Sequence, residues 1–332
     1  MILISAAGSG GTNGILNSFD GEIIGITNNR FKLFSSKIKA FLVPNAIDEE
    51  NYINRVNEII KKNKITLFIP NSDIEVYIVS KNLEKIKTKT FLPSFKMIDL
   101  SFDKLKLHKR LEKLKINTPK TYHMKSIKDL KKPFSELKKP LWCRIREGAG
   151  SQHTSKVISK KDAKFFIKHS CNVYNLKVED FIINQYLEGD DIAVMTLWKV
   201  GKLKMCKMMK RVSYQSYAGE SAPNVLVSFY DKKIEKFIKK AILSLDCNAN
   251  GILNIDIKCD RASNPYITEI NAGRFMYNMQ LFNSGTNAFN LFLKLANGED
   301  FKSIKEDPKV VFIREQDNSP TLVSKEKVYE NR

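Results

Sequence analysis

Residues 251–274, GILNIDIKCDRASNPYITEINAGR, constrain this chain more than any other stretch. Two short apolar runs carry acidic and amide groups at alternate positions. Side chains on a strand alternate between its faces, so Asn254 and Asp256 share one face of the first run, and Glu269 and Asn271 one face of the second. The intervening Asp260-Arg261-Ala262-Ser263-Asn264-Pro265 has turn chemistry, which predicts an antiparallel hairpin with Asp256 opposite Glu269 and Asn271. Carboxylates and an amide oxygen converging in this way suit a hard cation such as Mg2+, which keeps waters and shares its remaining positions with phosphates. Two amphipathic strands with their polar faces in solvent would show the same pattern, and both readings stand on this stretch alone.

At 332 residues the chain exceeds what one core supports, and two or three subdomains are expected. Residues 1–4 run into a Gly-rich turn with no basic leader, and no apolar run reaches the roughly 18 residues of a membrane span, which predicts a soluble, cytoplasmic protein. Five cysteines, widely spaced and without a CxxC pair, argue against a disulfide framework and against structural zinc. The net charge of +20 invites a nucleic-acid-binding reading, because a basic surface releases counterions from a phosphate backbone. That charge is carried by 46 Lys and only 10 Arg, spread along segments such as 104–115 and 232–240 rather than beside aromatic rings. Base readout and stacking favour Arg and exposed rings, so the composition argues against nucleic acid while remaining compatible with nucleotides as ligands.

Residues 2–5, 22–27, 41–43 and 66–70 read as strands, interrupted by a Gly-rich turn over 6–14 and a helix over 52–62, and this alternation predicts a doubly wound parallel sheet. An NAD(P)-dependent oxidoreductase using the turn from Gly8 to Gly14 is one alternative function. It would want an acidic residue closing the second strand, where Thr27-Asn28-Asn29-Arg30 stands. Tight helix–strand packing is the plainer role for the glycines, and substrate contact by Asp73 and Glu75 a third reading. A helix is expected from Ser101, as N-cap, to about Lys115. The strand 140–145 empties into Arg146-Glu147-Gly148-Ala149-Gly150-Ser151, whose backbone N–H groups could cradle phosphate oxygens, although a plain hairpin turn has the same composition. Strands follow at 181–186, 192–198, 202–210 and 310–313, helices at 160–170 and 232–246, and a charged tail is predicted to lack fixed structure. Lys210 and Arg211 fit either a site for an anionic substrate group or an ordinary surface pair.

Taken in order, four pieces resemble the ATP-grasp superfamily, above all its carbamoyl-phosphate-synthase-like members. They are Asp103-Lys104 at a helix opening, Arg144 leading into Gly148-Ala149-Gly150-Ser151, the run Asn184-Gln185-Tyr186-Leu187-Glu188-Gly189-Asp190-Asp191, and Asp256 with Glu269-Ile270-Asn271 thirteen residues on. The resemblance covers residues 1–300. It implies an α/β and α+β architecture: a Rossmann-like preliminary domain (1–95), then a two-lobed ATP-grasp domain with a small lobe (96–183) and a large lobe (184–300), then a strand and charged tail (301–332). The implied function is a ligase dependent on ATP and Mg2+ (or Mn2+), which activates a small carboxylate as an acyl phosphate and joins it to an amine or similar nucleophile. Its partners would be those small molecules, with no membrane and no nucleic acid, and a homodimer is compatible with it.

Residue by residue, the resemblance implies that Lys104 and Arg144 contact the α- and β-phosphates, and that Gly148, Gly150 and Ser151 belong to a loop closing over the γ-phosphate. Gln185, Tyr186 and Leu187 would lie along adenine, Asp191 would take the ribose hydroxyls, and Asp256, Glu269 and Asn271 would hold the metal. Arg274 would face the transferring phosphoryl group or the substrate carboxylate. The chain departs from the family pattern in three places. Arg144-Ile145 stands for Lys-Pro, Asn184-Gln185 for Gln-Glu, and Asn271-Ala272-Gly273-Arg274 is one residue longer than Asn-Pro-Arg, which leaves the partner of Arg274 open. No Ser-His-Asp or Cys-His arrangement surrounds any of the four histidines in the sequence.

Overall fold

The computed structural model of the chain describes residues 1–17, 19–148, 153–214, 223–276, 279–305 and 309–313. Four short apolar strands, β1 (Ile2–Ile4), β2 (Ile23–Thr27), β3 (Ala40–Leu42) and β4 (Leu67–Ile69), pair in parallel in the order β3-β2-β1-β4. Parallel strands are usually covered on both faces. Here Leu3, Ile26 and Phe68 pack against Tyr52, Val56, Ile59 and Ile60 of the helix Glu49–Lys62. The Gly-rich turn is filled by the chain itself: a Cβ on Gly11 would stand 2.9 Å from the carbonyl oxygen of Phe275. Asn71 completes the contact, donating to Thr12 Oγ1 (3.1 Å) and accepting from the Phe275 N–H (2.7 Å). The glycines therefore serve packing, and the dinucleotide reading loses its seat.

A second sheet, antiparallel and ordered β5-β8-β6-β7, is built from β5 (Thr121–His123), β6 (Leu141–Ile145), β7 (Thr154–Val157) and β8 (Phe181–Gln185). The helix Lys160–Tyr174 starts at a capping box in which Ser159 and Asp162 satisfy each other's backbone N–H, and it buries Ala163 and Ile167 against that sheet.

The third sheet runs β13-β12-β9-β10-β11-β15, with β14 on β10; its strands are β9 (Asp191–Lys199), β10 (Lys202–Tyr214), β11 (Pro223–Phe229), β12 (Gly251–Cys259), β13 (Pro265–Ala272), β14 (Ile304–Lys305) and β15 (Val311–Ile313). One face is covered by the helix Lys232–Leu245, whose Ile234, Ile238, Ala241, Ile242 and Leu245 recur at helical spacing. On the other face Phe289 and Phe292 join Ile4 and Ile69 of the parallel sheet in one core. All five cysteines are free thiols.

The helix expected from Ser101 is two helices, Phe95–Phe102 and Lys104–Lys113. Ser101 lies in the last turn of the first. The cap of the second is Asp103, in extended backbone, whose Oδ1 accepts from the N–H groups of Leu105 (2.9 Å) and Lys106 (3.3 Å). Ser and Asp are equally good caps, so residue type alone could not choose between them.

The β12–β13 hairpin pairs Asp256 with Glu269 and Asn254 with Asn271, and the register shifts just beyond, where Ile257 pairs with Ile267 and Thr268 is the extra residue. His108, from the helix Lys104–Lys113, holds that bulge. Its Nε2 donates to the Thr268 carbonyl (2.9 Å), and its Nδ1 faces the Thr121 hydroxyl (2.7 Å) and the Asn184 amide (3.3 Å). One neutral imidazole thus joins the second sheet to the third. Its burial lowers the pKa to about 4. At the C-terminal end of β13 the chain turns at Gly273 (φ +81°), where a Cβ would stand 2.8 Å from Val76 Cγ1. The extra residue before Arg274 is this turn.

Two predictions follow from these joints. Gly273→Ala puts a Cβ into a left-handed conformation and a close contact at once, and should cost about 1–3 kcal/mol of stability in urea denaturation; an unchanged midpoint would contradict the turn's role. Unfolded imidazole titrates near 6.5 and folded His108 near 4, so its stabilisation is complete above pH 6.5 and is lost as pH falls toward 4. The stability advantage of wild type over His108→Gln should shrink by about 2 kcal/mol between pH 7 and pH 5, and a pH-independent difference would show that the imidazole takes up its proton freely.

Candidate active site

The polar face of the hairpin looks into an open cleft between the second and third sheets, with about 840 Å3 of space. One end is apolar and aromatic, formed by Pro119, Trp142, Tyr186 and Leu187, with the Trp142 and Tyr186 rings 6.2 Å apart and Lys156 Nζ 4.6 Å from the Tyr186 ring centre. The other end carries Arg144, Asp191, Arg211, Asp256, Lys258 and Glu269. Gln185 also lines the cleft, though its own N–H is spent on the Lys120 carbonyl (2.9 Å). A long ligand with a flat apolar head and an anionic tail matches this division.

The cations stand close to Glu269. Arg144 Nη2 lies 2.6 Å from its Oε2, and Lys104 Nζ 3.6 Å from its Oε1, while Lys104 also donates to the Gly148 carbonyl (2.7 Å). Burial would raise the Glu269 pKa, but Lys104 and Arg144 outweigh it and hold the carboxyl down at about 2. Burial lowers the pKa of Lys104, and Glu269 opposes that shift. At Asp256 burial wins over the pull of Arg211, and the neighbouring Glu269 and Asp191 charges push the same way, so its pKa is raised. Two carboxylates that face each other with opposite shifts are a natural place for added positive charge.

Among the described residues no three His, Cys, Asp or Glu side chains cluster to hold an ion. What converges is two carboxylates, the Asn271 amide oxygen and, on the paired position of the same face, Asn254, whose Oδ1 is buried and has no hydrogen-bond partner. An all-oxygen set this small fits Mg2+ or Mn2+, which complete their shells with water and phosphate, and not zinc or copper.

Sequence reasoning left Arg211 unresolved, and the structure separates it from Lys210. Lys210 is half exposed and pairs with Asp190 (2.7 Å). Arg211 is turned inward, with Nη1 on Asp191 Oδ1 and Nη2 on Asp256 Oδ1, both at 2.7 Å. Tyr214 donates to Asp191 Oδ2 (2.6 Å) and Lys258 sits 3.5 Å away. Despite burial, Arg211 and Lys258 keep the Asp191 pKa low. Lys258 was within reach of a sequence argument, since it lies two residues from Asp256 and so on the same face.

Arg274 lies beyond the Gly273 turn. Its Nη2 donates to Asn271 Oδ1 (2.6 Å), Nη1 lies 3.2 Å from Met276 Sδ, and Nε pairs with Asp73, the first residue of the helix Asp73–Lys81. Glu75 has a different role from the one considered for it alongside Asp73. It is buried, accepts from Ser5 (2.6 Å), Ser72 (2.5 Å) and Tyr52 (3.2 Å), and ties β1 to the helices around it. Gly150, Ser151, residues 215–222 and the tail (314–332) lie outside the described residues.

The ATP-grasp domain family matches residues 101–276, more than half of the chain. The carbamoyl phosphate synthase large chain of Caldanaerobacter subterraneus subsp. tengcongensis is 25% identical over 206 residues, which is 58% of this chain and 18% of that protein's length. The crystal structure of an L-amino acid ligase from Bacillus licheniformis superposes with a TM-score of 0.70 at 15% identity, covering 89% of this chain and 73% of that one. The biotin carboxylase domain dimer of the Hydrogenobacter thermophilus 2-oxoglutarate carboxylase, in complex with MgADP, ADP and bicarbonate, gives 0.68 at 14% identity, over 92% of this chain and 71% of that one. The order of the motifs, the cleft between two sheets and the family match agree, and this chain belongs to the ATP-grasp domain family.

Proposed function

We propose that this chain is an ATP- and Mg2+-dependent ligase that activates a small carboxylate and joins it to an amine. The observation that carries the reading is the cleft itself: an aromatic pocket at one end and, at the other, Asp256 paired opposite Glu269 with Lys104 and Arg144 beside them. In this reading residues 1–95 form the preliminary domain, 96–183 and 184–300 the two lobes, and 301–332 a terminal strand and tail. Tyr186 and Leu187, with Gln185, flank the adenine, and Asp191 takes the ribose. Lys104, Arg144 and the loop from Gly148 through Gly150 and Ser151 take the phosphates. Asp256, Glu269 and Asn271 would hold Mg2+, which supplies charge neutralisation on the terminal phosphates.

The protein's own work is positioning and electrostatics. A carboxylate oxygen of the substrate attacks the γ-phosphorus; the bond to the bridging oxygen breaks and ADP leaves with the electron pair. Lys104, Arg144 and Arg274 face the negative charge that spreads over the transferring group. The amine then adds to the acyl carbon, loses a proton, and inorganic phosphate departs. No side chain needs to act as a nucleophile. His108, neutral and engaged on both ring nitrogens, holds the hairpin bulge rather than a reacting proton. A cytoplasmic location, where ATP is supplied, is part of the proposal, and no helix among the described residues is long and apolar enough to cross a membrane.

Mg-ATP should raise the thermal midpoint of the wild-type chain, since a ligand selective for the folded state stabilises it, whereas NADH and RNA should not. The shift should vanish in the Lys104→Ala, Arg144→Ala double variant; an undiminished shift there would place ATP elsewhere. ADP release should require a carboxylate and fall on the order of 100-fold in Glu269→Ala. Equal ADP release with no acceptor, across a panel of acids, would remove the ligase assignment.

A further inference from the structure

Asp191 and Asp256, both in the lining of the cleft, share one guanidinium. Arg211 Nη1 lies 2.7 Å from Asp191 Oδ1 and Nη2 2.7 Å from Asp256 Oδ1. Asp191 is itself held from behind, because Tyr214 donates to its Oδ2 (2.6 Å) and Lys258 Nζ stands 3.5 Å from the same atom. Arg211 is therefore gripped at both ends, and it meets Asp256 through one oxygen only. Among the described residues no side chain pairs with the other oxygen, Oδ2. Glu269 is engaged on both sides, with Arg144 Nη2 2.6 Å from Oε2 and Lys104 Nζ 3.6 Å from Oε1. Three of the four carboxylate oxygens of this facing pair thus stand beside a cation of the chain.

We propose that Arg211 decides which divalent cation enters with the nucleotide: by holding Asp256 to a single available oxygen, it selects Mg2+ over Ca2+. The inference deepens the ligase reading and rests on it. Ca2+ takes roughly six to eight oxygens at about 2.3–2.6 Å and often both oxygens of one carboxylate, whereas Mg2+ is content with single oxygens at about 2.0–2.1 Å and keeps several waters. A two-oxygen grip on Asp256 would bring the ion up against the positive charge of Arg211. Turning the carboxylate away would break the 2.7 Å pair and leave a guanidinium, only 14% exposed, with half of its compensation. One oxygen from Asp256 with water and phosphate asks for neither.

The shape of the cation matters here as well as its charge. A planar guanidinium holds two acids in fixed directions at once, and a lysine ammonium is one flexible point of charge that cannot reproduce the fork. Arg211 acts through Asp256 and is a positioning residue, of the kind that sets how a metal ligand is presented. Mg2+ and Ca2+ carry the same charge, so any electrostatic effect of removing Arg211 cancels in the ratio of their affinities. Only the presentation of Asp256 remains in that ratio.

The test measures ATP binding to the full chain by calorimetry, with no acid or amine present, once with saturating Mg2+ and once with saturating Ca2+. Wild type should bind ATP at least roughly tenfold more tightly with Mg2+, the lower end of what the groups behind a metal ligand control. Arg211→Gln should reduce that preference about tenfold, chiefly by weakening the Mg2+ complex. Arg211→Lys, which keeps the charge, should reduce it by a similar factor because the fork is gone, and it decides the matter alone if Arg211→Gln does not fold. Lys210→Gln, at the half-exposed neighbour paired with Asp190, should leave the preference as it is in wild type. If wild type binds ATP equally well with either ion, or if the preference survives undiminished in Arg211→Lys, the inference is overturned and the ligase reading stands. The absence of ATP binding with both ions removes the ligase reading and this inference with it.

Discussion

Two carboxylates face each other across one β-ladder, and much of this molecule is arranged to make that tolerable. Asp256 and Glu269 occupy paired positions on β12 and β13, with like charges pushing on each other in a part-buried cleft. Unpaired, such a juxtaposition would destabilise the sheet. The chain answers with cations from three directions: Arg144 from the second sheet, Lys104 from a helix start, and Arg211 from β10. Each belongs to a different element, so the electrostatics of the pair is also what registers those elements against one another. The same arrangement suits a divalent cation and a polyphosphate, which bring opposite charges to the same place.

Geometry there depends on contacts far from the hairpin in sequence. His108 fixes the Thr268 bulge, and Asn71 fixes Phe275 just past the Gly273 turn. Arg274 reaches across 201 positions to Asp73. Through these joints the helix Asp73–Lys81, which follows β4, is held against the end of the hairpin, its Asp73 paired with Arg274. The functional cleft itself is lined, among the described residues, from His108 onward.

The hairpin and its facing acids were legible in the sequence because strand alternation and turn chemistry are local rules. The glycines of residues 6–14 were legible as packing or ligand contact, and only the approach of Phe275 decided between them. Arg211 was not legible. Period two says that Lys210 and Arg211 face opposite ways, but which one faces inward depends on the pairing of β10 with β9, and β10 runs on to Tyr214, past the end that composition suggested. His108 was passed over for a similar reason: the groups that bury it lie 13, 76 and 160 positions away, and no local pattern encodes their meeting. The boundary between Ser101 and Asp103 was lost to two residues with the same capping ability, and the backbone conformation chose the second.

The central claim is that the oxygen of a substrate carboxylate ends on phosphate. The measurement that tests it most directly is isotope transfer. An acid that elicits ADP release is labelled with 18O in its carboxylate and turned over with Mg-ATP and an amine, and the inorganic phosphate is examined by mass spectrometry. Attack on the γ-phosphorus followed by displacement predicts one labelled oxygen in each phosphate formed and one retained in the amide. Phosphate free of label, with both labelled oxygens still on the acid, would show that ATP is cleaved by water and would contradict the account.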